Sequence, residues 1–214
     1  MPAFRGFPPE ALDFLRDLEA DNDRDWFKRN RARYDEHLVE PARALTEDLA
    51  AFGRPHIFRP WNDTRFHPGP PIKEHIGVTL GYEGGGGYYI ELSLDGLLVA
   101  AGLYSPARDQ LERLRQGVDS PRSAASLSRA IGRAHRAGLE LGGPDLKRGP
   151  RGYPADHPRM DLLRRRRMIV FHRHDLAGWL HRPEAGARIR AQLEAATPLV
   201  RWLHQHVGPT QIAR

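Results

Sequence analysis

The dipeptide Asp95-Gly96 places the strongest constraint on the fold, because it separates two strand-like runs, 88–94 and 97–101. A tight turn of this kind needs positive φ angles and joins neighbouring antiparallel strands. A third run of the same type, 76–80, lies just before them in the chain. We therefore expect an antiparallel meander inside a sheet region that spans 56–104.

Helical patterns flank this meander on both sides. An N-terminal helical region is expected over 8–53, where Leu12, Leu15 and Leu18 recur at helical spacing. A mixed region follows over 106–174, with short strands at 139–141 and 168–171 that return to the sheet, and a C-terminal helix is expected over 183–207. Proline should break the helical run at Pro41 and kink or split the last helix at Pro198. A block of strands between helical blocks predicts the α+β class, and we expect a single domain over residues 1–214.

Composition removes several kinds of site. The chain has no cysteine, so it has no disulfide, no thiolate nucleophile and no cysteine-ligated metal. The first residues lack the pattern of a signal peptide, and no apolar run reaches the roughly 18 residues that a membrane span needs. We therefore expect a cytoplasmic protein without membrane contact.

The formal charge of +6 makes nucleic acid one conceivable partner, because a basic surface attracts phosphate backbones. However, only three lysines accompany abundant arginine, which is typical of GC-rich codon usage and explains the charge without any partner. A nucleic-acid surface would be centred on the run Arg164–Arg167. Alternate residues of that run can equally well face solvent beside the strand that follows.

Two irregular segments carry more polar and turn-forming residues than core packing requires. The first runs from Arg59 to Phe66 and continues through a proline-rich stretch to His75, and the second runs from Lys147 to Pro158. Stiff loops between regular elements often display binding groups. We therefore expect the functional site in these two segments.

Five short motifs occur in a characteristic order along the chain. They read FRGFPPEA at 4–11, NDRDWF at 22–27, DTRF at 63–66, KEHIG at 73–77, and PRGY followed by DHP between 150 and 158. In this set and order the chain resembles the bacterial family called domain of unknown function 2461, over most of its length. The resemblance implies a conserved bacterial protein but brings no established activity with it.

The chain departs from the family pattern at 67–73. The resemblance implies a longer stretch here, with an acidic residue, a lysine and a tyrosine that this chain lacks. If those groups bind a substrate in the relatives, the activity of this member is weakened or altered. Lys73 and His75 nevertheless keep their places.

The candidate site consists of charged and polar side chains from both segments. The predicted ligand-binding residues are Arg59, Asp63, Arg65, Lys73, His75, Arg151 and Tyr153, and the predicted catalytic residue is His157. Guanidinium groups suit bidentate binding of phosphate or carboxylate, and a histidine can transfer a proton near neutral pH. Asp63 would orient one of the arginines. We therefore expect a cationic pocket for a small anionic ligand, with or without catalysis.

Structural roles explain the same residues equally well. Asp63 and Arg65 can form a buried ion pair that fixes the loop, and Tyr153 and His157 can satisfy backbone groups of a turn. A further alternative is an interaction or scaffold protein with an exposed apolar patch on the terminal helix near Trp202. Paired histidines occur at 172 and 174 and at 204 and 206, but neither pair has a third ligand at a metal-site spacing, so no metal site is predicted. The sequence indicates neither a cofactor nor an oligomeric state.

Overall fold

The computed structural model describes residues 3–63, 69–143 and 146–212. The helices are α1 (Pro9–Ala20), α2 (Arg24–Arg29), α3 (Arg31–Tyr34), α4 (Glu40–Asp48), α5 (Arg108–Asp119), α6 (Pro121–Arg136), α7 (Met160–Leu163) and α8 (Glu184–His206). The strands are β1 (Pro55–Ile57), β2 (His75–Leu80), β3 (Gly87–Ser93), β4 (Gly96–Leu103), β5 (Glu140–Leu141) and β6 (Met168–His174). Short 3-10 helices lie at Ala50–Phe52 and Gly178–His181.

The six strands form one antiparallel sheet in the order β1-β2-β3-β4-β6-β5. The turn between β3 and β4 lies at Leu94 and Asp95, and Gly96 begins β4 with a φ of 130°. The predicted meander and the α+β class are confirmed. Sequence analysis missed β1, which pairs with β2 from Pro55↔Leu80 to Ile57↔Val78, because alternation cannot be recognised over so few residues.

Alternation along β2 and β3 assigns their side chains to two faces. Ile76, Val78, Ile90 and Leu92 are buried and belong to the core. The intervening positions, His75, Thr79, Tyr89 and Glu91, are only half-buried. Since side chains alternate in direction along a strand, the polar positions share the face opposite the core. This second face carries the cluster described in the next subsection.

Two prolines were predicted to interrupt helices, and both lie within helical runs. A π-helical turn, Asp35–Val39, leads directly into α4, so the backbone is helical on both sides of Pro41 although this residue has no N–H to donate. Pro41 therefore does not break the helical run. Pro198 lies inside α8, which continues from Glu184 to His206 and is not split. None of the helices in the described ranges is both long and apolar enough to cross a membrane.

The chain forms two compact units, and the first comprises Met1–Leu80, Tyr89–Val99 and Arg173–Arg190. Its helical core is aromatic: the ring of Phe14 lies 5.5 Å from Trp26, 6.4 Å from Phe27 and 5.7 Å from Tyr34, measured between centroids. Burial raises the pKa of Tyr34 to about 12. The aromatic residues of the NDRDWF motif therefore serve packing in this unit.

The second unit comprises Gly81–Tyr88, Ala100–His172 and Ala191–Arg214. Trp202 is only 4% exposed there, and its Nε1 donates a hydrogen bond to the carbonyl of Ser123 at 3.0 Å. The expected apolar patch around Trp202 is therefore wrong, because this ring is part of the packing of α8 within the unit. The single-domain organisation of residues 1–214 stays a prediction.

Candidate functional site

The NDRDWF motif fixes the segment that carries Lys73. Asp23 caps α2, since its Oδ1 accepts from the N–H groups of Asp25 at 2.6 Å and Trp26 at 2.9 Å. The side chain of Asn22 therefore serves another purpose. Its amide donates to the carbonyl of Ile72 at 3.0 Å and accepts from the Ile72 N–H at 3.1 Å, as a neighbouring strand would. It also donates to Oε1 of Glu74 at 2.8 Å.

Backbone bonds join the first polar segment to the stretch before β2. Trp61 and Ile72 form an isolated antiparallel bridge, and the N–H of Lys73 donates to the carbonyl of Pro60 at 2.7 Å. Asp63 is exposed and takes part in a hydrogen bond or an electrostatic interaction. Arg65 belongs to the segment 64–68, which lies outside the described residues, so its predicted ion pair with Asp63 stays a prediction.

Lys73 is a half-buried cation next to a second cation. Its Nζ donates to the backbone carbonyl of Arg59 at 2.8 Å and lies 5.6 Å from the centre of the Phe58 ring. Burial, followed by the charge of Arg59, lowers the pKa of Lys73. Within the described ranges, no carboxylate lies within 4.0 Å of the charged group of Lys73 or of Arg59.

Glu91 is the centre of a polar cluster on the second face of the sheet. One of its oxygens, Oε2, accepts from the hydroxyl of Tyr89 at 2.6 Å and lies 3.9 Å from Nε2 of His75. The other oxygen, Oε1, lies 3.3 Å from Nη2 of Arg173. We call Lys73, His75, Tyr89, Glu91 and Arg173 the His75 cluster. All five residues belong to the first unit.

Two glycines make room for this arrangement. A Cβ atom on Gly77, in the KEHIG motif, would lie 2.7 Å from the hydroxyl oxygen of Tyr89, so the Tyr89 ring would have to move if residue 77 carried a side chain. A Cβ atom on Gly96 would overlap the backbone carbonyl oxygen of His174 and would also lie 3.1 Å from Cγ of Arg173, so glycine here permits the close approach of β4 and β6. Arg173 reaches both Glu91 and the hydroxyl of Ser93, which is 3.2 Å from its Nη1.

His75 is held in its neutral form. Burial is the main cause of its lowered pKa, and the charges of Lys73 and Arg173 lower it further, whereas Glu91 and Glu74 oppose the shift. The ordinary pKa of histidine is about 6.5, so the ring of His75 is neutral at pH 7. A neutral imidazole beside two permanent cations can take up a proton when a negative charge arrives.

The residues predicted in the second segment lie in the second unit. His157 Nδ1 accepts from the N–H of Arg159 at 3.1 Å, and Nε2 lies 3.0 Å from Oδ1 of Asp119. Since Nδ1 accepts, the proton resides on Nε2 and is donated to Asp119. The side chain of His157 is only 9% exposed. These contacts favour the structural alternative, and a catalytic role for His157 stays a prediction.

Tyr153 and Arg151 complete the predictions for this segment. The Tyr153 ring meets the His157 ring edge-on, with centroids 6.0 Å apart, and burial raises the pKa of Tyr153. Arg151 is exposed. The structure therefore brings Arg59, Lys73 and His75 together in the first unit and Tyr153 and His157 together in the second.

Sequence analysis missed Asn22, Tyr89, Glu91 and Arg173 as members of the candidate site. The alternation of Tyr89-Ile90-Glu91 gave a usable signal, because it places the tyrosine and the carboxylate on one face of a strand next to β2. Arg173 lies between two histidines that were considered only as metal ligands. In the part of the chain that the structure describes, no three His, Cys, Asp or Glu residues are grouped to hold a metal ion.

The arginines of the run 164–167 contact other residues of the second unit. Arg164 lies 3.2 Å from Asp161, and the guanidinium of Arg167 lies 5.0 Å from the centre of the Tyr104 ring. Arg165 and Arg166 also make contacts. These observations favour a structural use of the run over a nucleic-acid surface.

A family model described as a conserved hypothetical protein (DUF2461) matches residues 10–202. The chain belongs to this family. The function of the DUF2461 family is unknown. No curated protein and no solved structure matches the chain in the corresponding comparisons. The KEHIG and NDRDWF motifs lie within the region matched by the DUF2461 model.

Proposed function

We propose that this DUF2461 protein binds a small anionic ligand, a phosphate or carboxylate compound, at the His75 cluster. Arg173 and Lys73 would hold its charge, and His75 would take up a proton as it binds. The cytoplasmic location expected from the sequence is part of this proposal. The predicted roles of Arg65, Arg151 and His157 are not needed for it.

The carrying observation is the pair of cations formed by Lys73 and Arg59. Lys73 is half-buried and, among the described residues, has a backbone carbonyl but no carboxylate as its hydrogen-bond partner. Two neighbouring cations without a counter-ion raise the local potential, which favours an anion. A ligand carboxylate or phosphate would supply the missing negative charge. It would also raise the pKa of Lys73, which the charge of Arg59 lowers.

Glu91 contributes by positioning the cations. It holds Arg173 through a 3.3 Å ion pair while Ser93 fixes the second nitrogen of the same guanidinium. Guanidinium groups held in this way lose little entropy when they bind an oxyanion. The hydroxyl of Tyr89 binds the remaining oxygen of Glu91, so the carboxylate itself is oriented from two sides.

A histidine titration followed by NMR tests this proposal at the site itself. Ring resonances are recorded across pH with inorganic phosphate, with succinate, and with chloride at equal ionic strength, and His75→Gln identifies the signal of His75. Phosphate or succinate should raise the pKa of His75, because a nearby negative charge favours the imidazolium. Affinity should therefore increase as the pH falls.

Variants then show which residues bind the anion. Arg173→Gln and Lys73→Met should each weaken binding by about tenfold, the typical effect of losing one charge-assisted hydrogen bond. Arg136→Gln removes an equal charge from an exposed position at the end of α6 and should leave the pKa of His75 unchanged. A His75 pKa that neither anion raises above its value in chloride would refute the proposal.

A further inference from the structure

Phe58 is an apolar side chain that stays open to solvent in the first unit. It is 36% exposed. The other large apolar residues that are exposed in the described ranges are Tyr82, Tyr104 and Ile212, and all three belong to the second unit. In the described part of the first unit, Phe58 is therefore the only large apolar residue that is exposed, and a ligand can reach its ring.

The register of β1 and β2 places Phe58 on the second face of the sheet. The two strands pair up to Ile57↔Val78. The next residue along β1, Phe58, donates its N–H to the carbonyl of Gly77 at 3.0 Å. Val78 is buried in the core, and side chains alternate in direction along a strand, so Phe58 shares the opposite face with the His75 cluster. Strand β1 comes first in the sheet order, so Phe58 lies at the rim of that face.

Two further rings lie next to Phe58. The ring of Tyr89 lies 6.2 Å from that of Phe58 between centroids and is inclined to it by 68°. The ring of His56 lies 5.0 Å from Phe58 at an angle of 88°. Two rings inclined like those of Phe58 and Tyr89 form a corner, in which a third flat ring can stack on one and meet the other edge-on. We call this pair the aromatic corner.

The aromatic corner adjoins the His75 cluster at two points. The Nζ of Lys73 lies 5.6 Å from the centre of the Phe58 ring, and the hydroxyl of Tyr89 donates to Glu91 at 2.6 Å. An anion held by Lys73 would therefore lie beside the Phe58 ring, and a group attached to that anion could enter the corner. Inorganic phosphate would leave Phe58 exposed, whereas an attached ring would remove apolar surface of Phe58 from water.

We infer that the ligand of the His75 cluster is an anion attached to a flat ring, such as an aryl phosphate or an aromatic carboxylate. The charged group would bind to Lys73 and Arg173, and the ring would pack in the aromatic corner. This inference rests on the proposed function, because it requires the anion to bind at that cluster. It adds that contact with Phe58 supplies part of the affinity and selects among anions.

Calorimetric titration of the full-length protein with three phosphate monoesters tests this inference. Methyl, phenyl and cyclohexyl phosphate share the charged group and differ in the group attached to it. Phenyl phosphate should bind at least about tenfold more tightly than methyl phosphate, because its ring buries apolar surface and packs against two aromatic rings. Cyclohexyl phosphate should bind less tightly than phenyl phosphate, because a puckered ring cannot stack on Phe58. Equal affinities for the phenyl and cyclohexyl esters would overturn the flat ring.

The pKa of His75, followed by NMR with each ester, separates this inference from the proposed function. If methyl and phenyl phosphate bind equally well and both raise the pKa of His75, the anion site stands and the ring is wrong. If none of the three esters raises the pKa of His75, the proposed function fails, and this inference fails with it.

The variant Phe58→Leu shows whether Phe58 is the contact. Leucine keeps an apolar side chain beside Tyr89 but removes the flat ring. Most of the preference for phenyl over methyl phosphate should therefore be lost, while the affinity for methyl phosphate stays the same. Tyr104→Leu is a matched control, since Tyr104 is 63% exposed in the second unit, and it should keep the full preference. A Phe58→Leu protein with the preference of the wild type would overturn the role of Phe58.

Discussion

His75 makes the stability of the protein depend on pH in a defined direction. Its pKa in the folded protein lies below that of the unfolded chain, because burial and the charges of Lys73 and Arg173 outweigh Glu91 and Glu74. Between these two pKa values the unfolded chain binds more protons than the folded one. Stability should therefore decrease as the pH falls from 7 through the normal histidine range, and this loss is complete below the folded pKa.

The variant His75→Gln isolates this contribution from the other ten histidines. Denaturant unfolding of both proteins at several pH values between 7 and 5 should give a smaller loss of stability on acidification for the variant. Saturating phosphate or succinate should reduce the loss in the wild type, because a bound anion raises the pKa of His75. Parallel pH profiles for the two proteins would show that His75 does not titrate abnormally.

At the scale of elements, the position of the Tyr89 ring against β2 depends on the absence of a side chain at residue 77. Glycine inside a strand is ordinarily worse than alanine by about 0.5–1 kcal/mol, so Gly77→Ala would stabilise an ordinary strand. Here the added Cβ would lie 2.7 Å from the hydroxyl oxygen of Tyr89 and 3.2 Å from its ring. We expect Gly77→Ala to destabilise the protein by about 1–3 kcal/mol, as overpacking does.

A double-mutant cycle shows whether the tyrosine is the cause. Chemical denaturation should give a smaller cost for Gly77→Ala in a Tyr89→Ala background, where the ring is absent. Gly132→Ala is a matched control in the middle of α6, since its Cβ would meet only the end of Arg136 at 3.7 Å. That change should stabilise by about 1 kcal/mol through helix propensity. The explanation fails if Gly77→Ala costs the same in both backgrounds.

The elements that the sequence predicted are those encoded by local patterns. Leucine spacing defined α1, and strand-like runs around the Asp95-Gly96 turn defined β2, β3 and β4, because each pattern is complete within a few residues. Pro41 was misjudged because the chain enters α4 through a π-helical turn and the helix continues past the proline. Its position relative to the π-helical turn cannot be read from local composition.

The candidate site was harder to predict because its members are far apart in the chain. Arg173 and Glu91 are separated by 82 positions, and Asn22 and Ile72 by 50. Their contacts depend on the order of strands in the sheet and on glycines at 77 and 96. Lys73 and His75 could be found because a motif and a loop both indicated them, whereas the alternation that places Tyr89 and Glu91 on one face of β3 does not show that Arg173 meets them.

At the scale of the whole molecule, the open question is whether the two compact units unfold together. The division falls within strands: β4 contributes Gly96–Val99 to the first unit and Ala100–Leu103 to the second, and β6 divides between His172 and Arg173. Unfolding of either unit would unfold one half of both strands and leave the other half without the residues that continue it. We therefore expect one cooperative transition, with equal calorimetric and van't Hoff enthalpies.

The tryptophans provide a probe for each unit, because Trp26, Trp61 and Trp179 belong to the first and Trp202 to the second. In Trp202→Phe, fluorescence reports only the first unit, whereas far-ultraviolet circular dichroism reports helices of both. The two denaturation curves of this one variant should coincide, even if the substitution lowers stability by removing the bond to Ser123. Separate midpoints would instead show that the two units unfold independently of each other.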